Sequence, residues 1–222
     1  MINGLRKLSL IDYPGKVSFV IFLGGCNFNC PFCHNKSIVE KNAEEYDEDT
    51  VLEMLKARKK LIDGVVITGG EPTIYRDKLI SLIQKIKKLG YLVKLDTNGY
   101  NPSLLKKLLK EELLDYIAMD IKGTFSEYES IVRIPVNIGK IKESINLIEN
   151  SNIEYEFRTT VYKEAHSEDD IKEIMSYVKD TSKLILQSYR YSKEQIEDIE
   201  YTSYSEEELI EIKNKYDLLV RV

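Results

Sequence analysis

Apolar and polar positions alternate along this chain in two recurring patterns. Short apolar runs bounded by turn residues occupy 17–23, 65–68, 91–96, 115–121, 153–161 and 183–189, and they predict six strands. The stretches between them carry apolar residues at helical spacing. Leu52, Leu55 and Leu61 mark a helix over 51–62, for which Asp49 or Thr50 is the expected cap. Leu79, Ile80, Ile83, Ile86 and Leu89 mark a second, stopped by Gly90, and a Leu-rich run from Pro102 through Leu113 marks a third. Ile141, Ile145 and Ile148, then Ile171, Ile174, Met175 and Val178, give two more, and an acidic helix is expected at about 205–219. Ahead of the first strand, Asp12 and Pro14-Gly15 predict a turn.

Six strand–helix units in strict alternation imply a parallel sheet with right-handed crossovers. Eight such units close a complete barrel in roughly 250 residues. Six units in 222 residues fit an incomplete barrel or an open doubly wound sheet. No internal boundary, repeat or low-complexity tract interrupts them. The chain therefore reads as a single domain over 1–222, with a lead-in at 1–16, a core at about 17–190 and the C-terminal helix.

The unusual residues fall at the predicted strand ends. Cys26, Cys30 and Cys33, all the cysteines in the chain, follow the first strand with spacing C-x3-C-x2-C. Gly69-Gly70-Glu71-Pro72 follows the second, Asn98 the third, and Asp120 with Lys122 closes the fourth. The fifth ends at Arg158–Val161 and the sixth carries Gln187. In parallel βα architectures these ends form the active face. Three clustered thiols suit Zn or an iron–sulfur centre. Zinc wants a fourth ligand, and His34, directly after Cys33, would strain a compact tetrahedron. Three thiolates on an iron–sulfur cube leave one iron open for a substrate.

Each remaining residue has a bland alternative. Gly69 and Gly70 allow close approach of a ligand to the backbone, and Glu71 can accept from an ammonium, yet a strand-to-helix turn uses the same residues. Asp120 and Lys122, two apart on one strand face, form either a salt bridge or a pair around a polar ligand. Asn98-Gly99 is a common turn pair. For Arg158 the alternative to a place on the rim is an outward-facing strand residue, for Gln187 a hydrogen bond at the barrel mouth, and His166 is expected to be solvated.

Composition narrows the partners. A net charge of −5 opposes broad binding to nucleic-acid phosphates. No apolar run approaches the roughly 18 residues of a membrane span. An odd cysteine count in one cluster does not suit a secreted disulfide framework, so a reducing cytoplasm is expected.

C-x3-C-x2-C with Phe32 before the last cysteine resembles the motif of radical S-adenosylmethionine (SAM) enzymes, and GGEP resembles that family's methionyl-ammonium motif. Cys33-His34-Asn35, Thr97-Asn98-Gly99 and Asp120-Ile121-Lys122 resemble the glycyl-radical-enzyme activases, and the SLIDYPG run at 9–15 resembles the activators of anaerobic ribonucleoside-triphosphate reductase. The resemblance implies an α/β fold, a partial (β/α)6 TIM-like barrel of parallel strands with outer helices. It implies one [4Fe–4S] cluster on Cys26, Cys30 and Cys33, and SAM cleaved reductively to a 5′-deoxyadenosyl radical. Gly69, Gly70 and Glu71 would then hold the methionyl ammonium, Asn98, Asp120 and Lys122 the ribose and carboxylate side, and Phe32 and His34 would flank the cofactor. The implied partners are a glycyl-radical enzyme as protein substrate and a flavodoxin- or ferredoxin-type electron donor. Activation of a pyruvate formate-lyase-like enzyme, or a small-molecule substrate, is the alternative. Gln187-Ser188-Tyr189 stands where some activases carry a His, so no adenine contact is carried over there.

Overall fold

The computed structural model describes residues 1–221. The chain opens with β1 (Ile2–Ser9) and β2 (Ser18–Leu23), and the cysteine loop leads into α1 (Lys36–Val39) and α2 (Glu48–Ala57). Then follow β3 (Gly64–Gly69), a 3-10 turn at Pro72–Tyr75, α3 (Asp77–Lys88), β4 (Leu92–Thr97), α4 (Pro102–Lys110) and β5 (Tyr116–Asp120). After α5 (Tyr128–Val132), α6 (Ile138–Glu149) and β6 (Glu154–Val161) come α7 (Glu168–Met175), β7 (Leu184–Ser188), α8 (Glu206–Tyr216) and β8 (Leu219–Arg221). The strands form one sheet in sequence order. β1 pairs antiparallel with β2, and every later pairing is parallel.

The six expected strands are β2 to β7, and the sheet gains one strand at each edge. Periodicity did not mark β1 because it is an edge strand whose Leu5 is half-buried and whose Arg6 and Lys7 are solvated, a composition that blunts edge-to-edge pairing. At the other end, α8 stops at Tyr216 because Asp217 turns left-handed, and the chain re-enters the sheet as β8. The first long helix starts earlier than expected. Asp47, not Asp49 or Thr50, is its cap and accepts the Thr50 N–H at 3.0 Å. That helix also ends at Ala57, which leaves Leu61 outside it and exposed.

The two sheet faces differ in chemistry, as the period-two geometry of strands allows. One face carries Phe19, Ile21, Val65, Ile67, Val93, Leu95, Ile117, Met119 and Phe157, all fully buried in the main core with the helices. On the other, Val20 and Val66 make a small apolar cluster with Tyr13. From β4 onward that inner face turns charged. Lys94 donates to Asp96 at 2.5 Å, and Arg158 bridges Asp96 at 3.3 Å and Asp120 at 2.9 Å. Arg221 closes the far side by bonding Glu156 at 2.6 and 3.1 Å. Arg158 on β6 reaches over β5 to Asp96 on β4, so the face that bears the network is concave. No helix among the described residues is long and apolar enough to cross a membrane.

Lys94 is 1% exposed, and its charge is tolerated because Asp96 neutralises it. Removing one partner of such a pair leaves an uncompensated buried charge. Lys94→Met is expected to cost about 3 kcal/mol in urea unfolding, the low end of the usual range because Arg158 still faces Asp96. The double change Lys94→Met with Asp96→Leu should recover part of that loss.

Candidate active site

The loop from Gly24 to Asn35 leaves the C-terminal end of β2, where no continuing ladder ties down its backbone. Cys26, Cys30 and Cys33 instead face a cavity of about 360 Å³ at the C-terminal ends of the parallel strands. Local bonds shape the loop: the Cys33 N–H reaches the Cys30 carbonyl at 3.1 Å, and the Phe28 N–H points at Cys26 Sγ at 3.4 Å. Burial pushes the Cys26 thiol up to about 12, aided by the Glu71 carboxylate. Burial likewise raises Cys30 to about 11, against the pull of the Lys122 ammonium, and raises Cys33. Among the described residues, no three His, Cys, Asp or Glu side chains are gathered tightly enough to hold a single ion. The three sulfurs border one cavity, and three thiols with no fourth cysteine in the chain match the donor set of an iron–sulfur cube with one open iron.

The glycine turn is built for close backbone contact. Gly69 has φ +124°, and a Cβ there would lie 2.3 Å from the Leu23 carbonyl oxygen. A Cβ on Gly70 would lie 2.0 Å from the Gly25 carbonyl oxygen. The reason is that the turn docks directly on the cysteine loop. The Gly70 N–H donates to Leu23 at 2.9 Å, and the Glu71 N–H donates to Gly25 at 2.9 Å. Asn35 adds a side-chain bond to the Gly69 carbonyl at 2.9 Å.

Glu71 departs from its expected place. It is 1% exposed, and its side chain is turned away from the cavity. Its carboxylate accepts from the Thr73 N–H (2.9 Å), the Thr73 hydroxyl (2.5 Å), the Thr97 hydroxyl (2.8 Å) and the Asn98 N–H (2.6 Å). Burial pushes the carboxyl up and these donors oppose it. Two of the donors belong to Thr73 in the 3-10 turn and two to Thr97 and Asn98 at the end of β4, so the side chain caps the turn and fastens it to β4.

The other expected residues do meet at the cavity. Gly69, Gly70, Phe32, His34, Asn98, Asp120 and Lys122 all line it, as does Gln187. Phe32 packs its ring 5.3 Å from that of Tyr162, and His34 Nε2 shares a 2.6 Å hydrogen bond with the Arg190 carbonyl. Asn98 donates from its side chain to Asn27 at 2.8 Å. Lys122 donates to Asp120 at 2.9 Å, so the salt bridge and the shared cavity wall are both real. Burial alone would raise the Asp120 carboxyl, but Arg158 and Lys122 outweigh it and hold the group down at about 2. Burial would lower Lys122, but Asp120 and the Cys30 thiolate reverse that and hold it above its ordinary value.

One alternative is excluded and one expectation is corrected. Arg158 faces inward, because its register partner is Asp120 and both sit on the concave side. His166 is fully buried rather than solvated. It accepts the Tyr162 N–H at Nδ1 (3.4 Å), which assigns the proton to Nε2, 3.0 Å from the Lys122 carbonyl; burial holds its pKa down.

Sequence reasoning missed Asp96 and Tyr128, and named Asn35 and Tyr189 only inside longer motifs, with no role. Asp96 had a readable signal. Lys94-x-Asp96 repeats the same-face pattern of Asp120-x-Lys122 at the end of the neighbouring strand. Tyr128, whose hydroxyl accepts the Lys122 N–H at 3.3 Å, comes from a segment with no motif, and Tyr189 closes the cavity beside His34.

The raised thiols generate a pH prediction. Only the thiolate is nucleophilic, so below its pKa the rate tracks the thiolate fraction. In the cluster-free protein, iodoacetamide labelling should be slow at neutral pH and climb about tenfold per pH unit from 7 to 9 without levelling off. A plateau below pH 9, read by mass spectrometry, would contradict the buried placement of Cys26 and Cys30.

Comparison with known proteins agrees with this geometry. The sequence model described as Radical SAM superfamily matches residues 20–178. A Methanocaldococcus jannaschii protein that carries the provisional name glycyl-radical enzyme activating enzyme is 37% identical over 194 residues, 85% of this chain and 80% of its own. The pyruvate formate-lyase-activating enzyme of Streptococcus mutans is 29% identical over 143 residues, covering 60% of this chain and 54% of its own. Among solved structures, Streptococcus suis SuiB bound to S-adenosylmethionine superposes with a TM-score of 0.69 at 14% identity, over 91% of this chain and 51% of SuiB. The chain thus spans about half the length of that structure, and the likeness there is one of fold. With a family match over most of its length and three thiols on a cavity at the strand ends, this chain belongs to the radical SAM superfamily.

Proposed function

We propose that this enzyme installs a glycyl radical on a partner protein, and that the partner is anaerobic ribonucleoside-triphosphate reductase. The observation that carries the activase reading is the 37% identity to the Methanocaldococcus jannaschii protein over most of both chains. The reductase as partner rests on the SLIDYPG run alone. When bound, the [4Fe–4S] cluster and SAM supply a one-electron cleavage to methionine and a 5′-deoxyadenosyl radical, which takes hydrogen from a glycine Cα. The electron comes from a flavodoxin- or ferredoxin-type donor.

The chain's own residues bind and orient. Cys26, Cys30 and Cys33 hold the cluster and give up their protons as they do so, because metal ligation needs the thiolate. Gly69 and Gly70 present backbone to the methionyl ammonium, and Glu71 acts by holding that turn against β4. Lys122 offers a cation to the methionyl carboxylate, and Asp120, already ionised, accepts from hydroxyls or the ammonium. Asn98 lines the ribose side, while Phe32, Tyr162 and Tyr189 keep water from the thiolates.

Anaerobic incubation of the reconstituted enzyme with reductant, SAM and the reductase should produce a glycyl-radical EPR signal. No signal from the reductase, with a signal from a pyruvate formate-lyase-type protein, would replace the named partner. No signal from either would remove the activase reading.

The glycine turn gives a second test. Gly70→Ala forces its Cβ against the Gly25 carbonyl, a backbone atom that cannot step aside. Iron retained after reconstitution should fall to a small fraction of wild type, and SAM binding with it. Wild-type iron content in Gly70→Ala would show that the two loops need not touch.

A further inference from the structure

Between β7 and α8 the chain crosses the active face without forming a helix or strand. We infer that this crossing, residues 189–202, is a strap that latches the cysteine loop, and that Gln195 is the positioning residue that sets it. The inference builds on the reading of that loop as the cluster site.

Three polar contacts join the strap to the stretch 31–34. The Ile196 N–H donates to the Cys33 carbonyl at 3.1 Å, and the Glu197 N–H donates to the Pro31 carbonyl at 3.0 Å. His34 Nε2 meets the Arg190 carbonyl at 2.6 Å. The loop's own backbone offers no ladder to satisfy these carbonyls, so the strap supplies what a neighbouring strand would supply elsewhere. Ile196 also lines the cavity, so the contact lies at the edge of the thiol-bearing space.

The strap is held from within by one side chain. Of residues 190–200, Gln195 is the buried one, at 1% exposure. Its Oε1 accepts the Tyr189 hydroxyl at 2.9 Å, and its Nε2 donates to the Glu197 carbonyl at 2.8 Å and the Ile199 carbonyl at 2.5 Å. An apolar anchor would fix only the depth of the strap. An amide with a filled acceptor and two filled donors also fixes the direction of the backbone it bonds, and here that backbone includes Glu197. Gln195 therefore orients the two N–H groups that hold Pro31 and Cys33. Its action on the cluster is indirect, through Cys33 and through exclusion of water from that side.

The test uses anaerobically reconstituted enzyme and two variants, Gln195→Leu and Tyr189→Phe. Four quantities are read: melting temperature, exchange of the Ile196 and Glu197 amides, release of iron to a chelator, and the midpoint potential of the cluster. Gln195→Leu should reconstitute to normal iron content, yet exchange both amides and lose iron roughly tenfold faster or more, the factor for leaving buried amide partners unmet. Its potential should rise, because water reaching the cluster favours the more charged reduced state. Tyr189→Phe, which keeps the ring but removes the donor to Gln195, should shift the same quantities in the same direction by less. A folded Gln195→Leu with wild-type iron release and potential would overturn the inference. If that variant does not fold, unchanged release in Tyr189→Phe overturns it. Amides 196 and 197 that exchange freely in the wild type would do so as well. A wild-type protein that takes up no iron at all would sink the cluster reading instead, and amide protection would still report on the latch.

Discussion

The site depends on a contact between two stretches of bare backbone. Gly24-Gly25, entering the cysteine loop, and Gly69-Gly70, leaving β3, approach so closely that a methyl group on either of the latter would overlap a carbonyl of the β2–loop segment. Two N–H groups of the turn donate across the contact, and Asn35 reaches back from the far end of the loop to complete it. Glu71 then ties this paired unit to β4 through Thr97 and Asn98. The thiols are thus placed by a chain of backbone contacts anchored in a parallel sheet, with side chains serving mainly to fasten strand ends. Glu71 sits behind that wall, and its carboxylate is bonded to the turn and to β4.

The concave face poses a different constraint. Lys94, Asp96, Asp120, Glu156 and Arg158 would each be costly alone, and they are tolerated because each finds a counter-charge within bonding distance, Glu156 from the exposed Arg221. Arg158 is the hub, since it touches both aspartates. Through Asp120 the network ends at Lys122, the cation beside Cys30 and Cys33. The charge presented to the thiols is therefore set by an interior array that begins deep in the sheet, and the ordered side chains need no rearrangement to present it.

Much of this was readable from the sequence. The apolar runs placed β2 to β7 within a residue or two, and the cysteines, Asn98, Asp120 and Lys122 lie on one cavity because strand ends of a parallel sheet share one rim. The edge strands were hidden: β1 lacks a clean alternation, and β8 is three residues long behind a left-handed Asp217. Arg158 was left open because a lone charge on a strand does not declare its face until a partner two strands away is known. His166 was misjudged because its loop is polar in composition although its ring is enclosed by Tyr162 and the Lys122 backbone. Glu71 was read by type, and only the positions of Thr73, Thr97 and Asn98 reveal that its carboxylate also ties the turn to β4. Long-range register and hydrogen-bond saturation are three-dimensional quantities, and no local pattern encodes them.

The strap from Tyr189 to Thr202 also makes one wall of the thiol loop depend on chain that follows it by more than 150 residues. The cysteines precede the strap in the chain, with Cys33 the last of them, and the Pro31–His34 side of their loop is latched by the amides of Ile196 and Glu197 and the carbonyl of Arg190. A chain still being made holds its thiols on an unfinished wall, lacking both β7 and the crossing that covers them. A loop latched on both sides therefore exists only once the strap has been made and has docked. A nascent or truncated product that ends before the strap would leave those thiols open to solvent and to oxidation.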